Sequence, residues 1–122
     1  MDAVIVSGLV VQGLQQGRML GYPTINIAYN GELSVRPGVY AAHVEVAEGI
    51  RFKGAAIVGG DFLVTKTPKL EVHLLDDTKN ERYGEFVTIK IIAFASELVR
   101  VTDMVELKNK IENDIVLIRK MF

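Results

Sequence analysis

Short runs rich in valine and isoleucine recur along this chain with only turns between them, which argues for an antiparallel barrel or sandwich and against βαβ units. Ala3 to Val11 is the first such run. It is apolar on both faces, as expected of a strand inside a closed or covered sheet. Thr24 to Ala28 is a short extended piece with an Asn30-Gly31 turn signal after it, and Arg36-Pro37-Gly38 turns into a strand over Val39 to Val46. Along that strand Tyr40, Ala42, Val44 and Val46 share one face, and Val39, Ala41, His43 and Glu45 share the other. Glu48-Gly49 closes a hairpin toward Phe52 to Val58, and an irregular stretch from Gly59-Gly60 runs to Pro68. Leu70 to Leu75 alternates, so Leu70, Val72 and Leu74 are expected in a core with Glu71 and His73 turned away. After the polar loop Asp76 to Arg82 comes a longer β-branched strand, Phe86 to Phe94.

Only the end reads as helix. Asp103-Met104-Val105-Glu106 has the form of a capping box, and Leu107, Ile111, Ile115, Ile118 and Phe122 make an apolar stripe. The opposite face, with Lys108, Lys110, Glu112 and Lys120, is expected to be solvated. The 122 residues suffice for a single domain, 1–122, with a real core. A net charge of −1 gives no general attraction to nucleic acid or an anionic membrane, so anion binding has to come from a local site. The absence of cysteine excludes disulfides and thiolate metal sites, and makes a cytoplasmic setting the expectation. The first residues lack the basic start of a signal peptide, and no apolar stretch approaches the length of a membrane span. A monomer is expected.

The chemistry-bearing segment is Gly13-Leu14-Gln15-Gln16-Gly17-Arg18-Met19-Leu20-Gly21-Tyr22-Pro23-Thr24-Ile25-Asn26, immediately after the first strand. Gly13, Gly17 and Gly21 allow sharp turns and close approach of backbone to a ligand, and successive N–H groups in such turns make anion-binding concavities. Arg18 offers a fork of donors to phosphate, or else covers the barrel surface. Pro23 stiffens the chain, and Thr24 and Asn26, two apart on an extended segment, face one side like a pair of oxygen ligands. The segment is neither a Walker A loop nor a dinucleotide fingerprint.

The run from Gly8 through Gly13, Gly17-Arg18 and Leu20-Gly21-Tyr22-Pro23-Thr24-Ile25-Asn26 closely resembles the opening of the ATP-dependent riboflavin kinase family, with Ile25 in place of the usual alanine. Pro37-Gly38-Val39-Tyr40-Ala41, Leu70-Glu71-Val72-His73-Leu74-Leu75-Asp76, Tyr83-Gly84 and the capped terminal helix extend the likeness over the whole chain. The resemblance implies a six-stranded antiparallel Greek-key β-barrel with one C-terminal α-helix. It implies transfer of the γ-phosphate of ATP to the 5′-hydroxyl of riboflavin, giving ADP and FMN. It also implies Thr24 and Asn26 as ligands of Mg²⁺, with the nucleotide's phosphates supplying the anionic ligands, and Glu71 as the catalytic base. A glutamate near its reference pKa is ionised at neutral pH and can take the alcohol's proton. Read without the family, Glu71 is an outward strand charge, and His73 and His43 are surface or packing histidines.

The chain departs from the family in three places. Ile57-Val58-Gly59-Gly60-Asp61-Phe62 stands where Asn-Ile-Gly-x-x-Pro-Thr is usual, and Asp77 stands where an aromatic residue is common. Ala95-Ser96-Glu97 takes the place of a Leu-Arg-x-Glu pair that forms part of a flap, leaving Ser96 and Arg100 as flavin-side candidates. The departures keep two alternatives open: a flavin- or nucleotide-binding module on the same barrel with little or no kinase activity, and a kinase for another small alcohol. No adenylyltransferase domain of the kind bacterial relatives often carry precedes the chain, so a free-standing kinase and an excised fragment are both open.

Overall fold

The computed structural model describes residues 4–12, 21–59, 68–77, 82–99 and 103–122. Among them are six strands, β1 (Val4–Val11), β2 (Ile25–Tyr29), β3 (Gly38–Glu45), β4 (Arg51–Gly59), β5 (Lys69–Leu74) and β6 (Phe86–Ser96), and one α-helix, α1 (Met104–Arg119). The strands close into a barrel in the order β1-β2-β5-β4-β3-β6, with β6 returning to β1, and every pairing is antiparallel. The barrel reading is therefore the right one of the two expected from the strand pattern.

Period-two alternation fills the interior. Val6 and Val10, Ile25 and Ile27, Tyr40, Ala42 and Val44, Ala56 and Val58, Leu70, Val72 and Leu74, and Val87, Ile89 and Ile91 form one buried cluster. Where β1 crosses β2 the backbones come close at Gly8: a Cβ there would fall 2.2 Å from the carbonyl oxygen of Ala28. Only glycine allows that approach. Register shifts between Val39 and Tyr40 and between Ala41 and Ala42 mark bulges in the β3–β6 pair, the usual means of bending a strand around a small barrel.

A second cluster lies outside the barrel, where Val39, Ala41, Ala55 and Leu75 meet Ile115 and the fully buried Ile118 of α1. Asp103 Oδ1 accepts the Glu106 N–H at 2.8 Å, so the helix starts where the capping pattern placed it. The helix packs chiefly on β3, β4 and β6. β1 lies in a closed sheet, as expected, with its outer face open: Ile5 and Leu9 are 63% and 49% exposed. Closure satisfies the hydrogen bonds on both edges of β1, and that requirement is met without a layer over its outer face.

One end of the barrel is sealed by charge. Arg82, 8% exposed, holds both carboxylate oxygens of Asp77 at 2.9 Å and Glu85 at 3.1 Å, with its guanidinium over the Phe52 ring. Asp77, the residue in the family's aromatic position, is thus part of this plug. Removing the cation would leave two acids with little water, a change that typically costs about 3–5 kcal/mol. Arg82→Ala should lower unfolding stability by about that amount in urea melts, whereas Arg119→Ala, which breaks an exposed pair with Asp76, should leave the midpoint in place.

Candidate active site on the outer face of the barrel

With Leu70, Val72 and Leu74 committed to the interior, β5 presents Lys69, Glu71 and His73 outward. Glu71 lies directly across from Asn26 on β2 and from Ile57 on β4. Thr24, two residues before Asn26, joins the same face. Over this face α1 makes a cleft of about 290 Å³, walled by Val39, Ile57, Leu107, Ile111 and Ile115, with Thr24, Glu71, His73 and Asp114 as polar members. On the other side of Glu71 a more polar cavity of about 580 Å³ is lined by Gln12, Asn26 and Lys69.

Burial under the helix pushes the Glu71 carboxyl above its ordinary value, and the charge of Lys69 partly opposes the shift. The expectation of a reference pKa is corrected by this covering. Ile57, where the family usually has asparagine, adds an apolar neighbour instead of a polar one.

The segment carrying Thr24 is tied down on both sides. His73 Nδ1 lies 2.7 Å from the Pro23 carbonyl oxygen, and since a carbonyl only accepts, Nδ1 carries the proton. The Tyr22 ring packs edge-on against His73, with 5.8 Å between centroids, and its hydroxyl donates to Glu112 of α1 at 3.1 Å. Gly21 begins the segment with φ +85°, a conformation that side chains rarely adopt, in open space.

A charged network flanks the cleft. Asp114 accepts from Ser96 Oγ at 2.6 Å and pairs with Lys110, whose ammonium also donates to Ser96 Oγ at 2.9 Å. The helix face expected to be solvated therefore turns two of its residues inward: Lys110 to Asp114, and Glu112 to Tyr22. Lys110 and Asp114 are an i, i+4 pair on α1 that also meets Ser96 of β6, and Glu112 finds its partner off the helix in Tyr22.

Glu71 lines the cleft with Thr24 and the polar cavity with Asn26, and Pro23 takes part through its carbonyl. Ser96 lines neither cavity and reaches the cleft through Asp114. Gly13, Gly17, Arg18 and Arg100, together with Gly60, Asp61 and Phe62, lie outside the described residues. The sequence reading passed over Lys69 and left His73 a bland role, although both share the outward face of Glu71 by alternation. Asp114 was signalled too, as an acid within the apolar stripe of α1.

Among the described residues no group of three or more His, Cys, Asp or Glu side chains is placed to hold a metal ion. Thr24 and Asn26 supply neutral oxygens beside Glu71. Such a set fits a hard cation that brings most of its ligands with it, as water and phosphate, and does not fit a soft metal.

The sequence matches the family model for Flavokinase, riboflavin kinase, over residues 2–122. The bifunctional riboflavin kinase/FMN adenylyltransferase of Haemophilus influenzae is 30% identical over 118 residues, covering 96% of this chain. This chain spans 38% of that relative's length. Among solved structures, a Streptococcus pneumoniae protein titled macrolide-efflux protein superposes with TM-score 0.85 at 24% identity, over 97% of this chain and 39% of that one. Riboflavin kinase from Trypanosoma brucei superposes with TM-score 0.68 at 22% identity, over 99% of this chain and 80% of that one. At those identities the two structures establish the shared barrel.

The clamp on the Thr24 segment can be measured directly. His73→Phe keeps a ring against Tyr22 but cannot donate to the Pro23 carbonyl. A lost hydrogen bond of about 1 kcal/mol should speed amide exchange over residues 24–26 about fivefold, read by NMR. Unchanged exchange would reduce His73 to packing.

Proposed function

The chain belongs to the riboflavin kinase family, and from that premise we propose that it transfers the γ-phosphoryl group of ATP to the 5′-hydroxyl of riboflavin, giving FMN and ADP. The observation that carries the reading is the position of Glu71, a carboxylate forming part of the wall of both an apolar cleft and a polar cavity. A flavin is a flat fused ring with a polyol tail. Its ring suits the aliphatic walls supplied by β3, β4 and α1, and a tail running toward Thr24 brings a hydroxyl to Glu71. The polar cavity, beside the end of the glycine-rich segment, suits the nucleotide's phosphates.

The residues then divide the work. The hydroxyl oxygen forms a bond to the γ-phosphorus as the bond to the β-phosphate's bridging oxygen breaks, and the electron pair leaves with ADP. The proton passes to Glu71. A base is most effective with a pKa near the working pH, so the upward shift that burial gives Glu71 suits the role. Thr24 and Asn26 hold the divalent ion, read as Mg²⁺, which when bound neutralises phosphate charge.

Incubating the protein with riboflavin and MgATP and following FMN by chromatography tests the reading. Glu71→Gln should cut turnover by about 10² to 10⁴. Because the folded-state pKa is raised, Glu71 carries a penalty that is absent below its unfolded pKa and complete above the folded one. At neutral pH the Gln variant should therefore melt no lower than the wild type. The acid limb of kcat/KM should lie above the ordinary glutamate value, since activity is lost as pH falls through the raised pKa and Glu71 protonates. A stable Gln variant with full turnover would remove Glu71 from the mechanism.

Thr24→Ala and Asn26→Ala should each weaken binding of an ATP analogue about tenfold with Mg²⁺ present, roughly 1.4 kcal/mol, and little without it. Calorimetric titrations with and without the ion give the comparison. Equal losses in both conditions would make the two residues structural.

A further inference from the structure

We propose that Lys69 is a further catalytic residue, whose ammonium contacts the γ-phosphoryl group as it passes from ATP to the alcohol held at Glu71. The proposal rests on the kinase reading above. Among the described residues, Lys69 and Glu71 are the two side chains common to the cleft under α1 and the polar cavity beside it. Lys69 is also the one lysine or arginine among the described residues lining either. A group moving from one cavity to the other stays beside the stretch of β5 that carries this cation and this acid.

Strand geometry sets the reach. Lys69 and Glu71 are two residues apart on the outward face of β5, a separation of about 6.6 Å along the strand. The four-carbon stem of lysine can span that distance, so its ammonium can address oxygens on a phosphorus bonded to the alcohol at Glu71. The side chain is exposed and makes no ion pair among the described residues, whereas Lys110 is tied to Asp114 and Ser96. Among the described residues, Lys69 is thus the available cation on this face.

Transfer spreads negative charge over the three equatorial oxygens of the moving phosphoryl group, and a cation already in place stabilises that charge more than the ground state. The atoms balance without further reactants. The alcohol's proton goes to Glu71, the electron pair of the broken bond leaves with ADP, and Lys69 keeps its protons throughout.

The test compares wild type, Lys69→Met and Lys69→Arg in two measurements. In steady-state assays Lys69→Met should lower kcat about 10²-fold with KM for riboflavin unchanged, and Lys69→Arg should restore most of the loss. By calorimetry, Lys69→Met should bind a non-hydrolysable ATP analogue about tenfold more weakly than wild type while binding ADP equally well, since the contact is to the third phosphate. Because Lys69 is exposed, the variants should melt with the wild type. Equal losses for analogue and ADP, or turnover within twofold of wild type, would overturn the role of Lys69 and leave the kinase reading standing. A wild-type protein that makes no FMN would overturn the kinase reading and the role of Lys69 with it.

Discussion

Pairing of β5 on both edges, to β2 at Ile25 and Asn26 and to β4 along its length, fixes where charge can sit on this barrel. With its backbone satisfied on both sides, each β5 side chain has one of two destinations. Leu70, Val72 and Leu74 enter the interior, so Lys69, Glu71 and His73 must leave it. A slip of one residue would exchange the sets and bury a lysine and a glutamate among aliphatic side chains, with no partners there to offset the desolvation. The same rule on β2 sends Ile25 and Ile27 inward and Asn26 outward. The hydrophobic term that stabilises the fold is therefore also the term that aims the carboxylate.

Aim alone would leave Glu71 on a wet surface, where a carboxylate is a weak base. The helix supplies the rest. Ile115 and Ile118 dock α1 on β3 and β4, and the next part of the same stripe, Leu107 and Ile111, lines the cleft whose wall includes Glu71. One packing event thus makes the cleft and raises the pKa of the group at its edge. The helix also brings Asp114 into the cleft wall, and the hydrogen bonds from Ser96 and Lys110 are what make an acid tolerable at that depth.

The parts of this arrangement set by local pattern were legible in the sequence. Alternation on β3 and β5 assigned both faces correctly, and the Asp103 cap located the helix start. What local pattern could not convey was which outer faces would be covered. Val4 to Val11 is apolar on both sides, yet only the inner side is enclosed, because a closed barrel needs no outer layer. The i, i+4 pair of Lys110 with Asp114 lies within the helical spacing, whereas Ser96 beside Lys110 and Tyr22 beside Glu112 emerged only from the fold. The raised pKa of Glu71 was missed for the same reason, since its cause is burial, which local pattern does not convey.

The departures from the family pattern acquire separate physical meanings once placed. Asp77 takes no part in either cavity: it is half of the buried pair with Arg82 that closes one end of the barrel. Ile57 lies against Glu71, and an aliphatic side chain there strengthens the desolvation that lifts the carboxyl's pKa. Ser96 leaves its place on β6 without a cation of its own, and Lys110 reaches across from α1 to stand beside it, held by Asp114. An ammonium fixed in that way is neutralised by its acid. Among the described residues, the exposed cation that lines both cavities on this face is Lys69, on β5 beside Glu71.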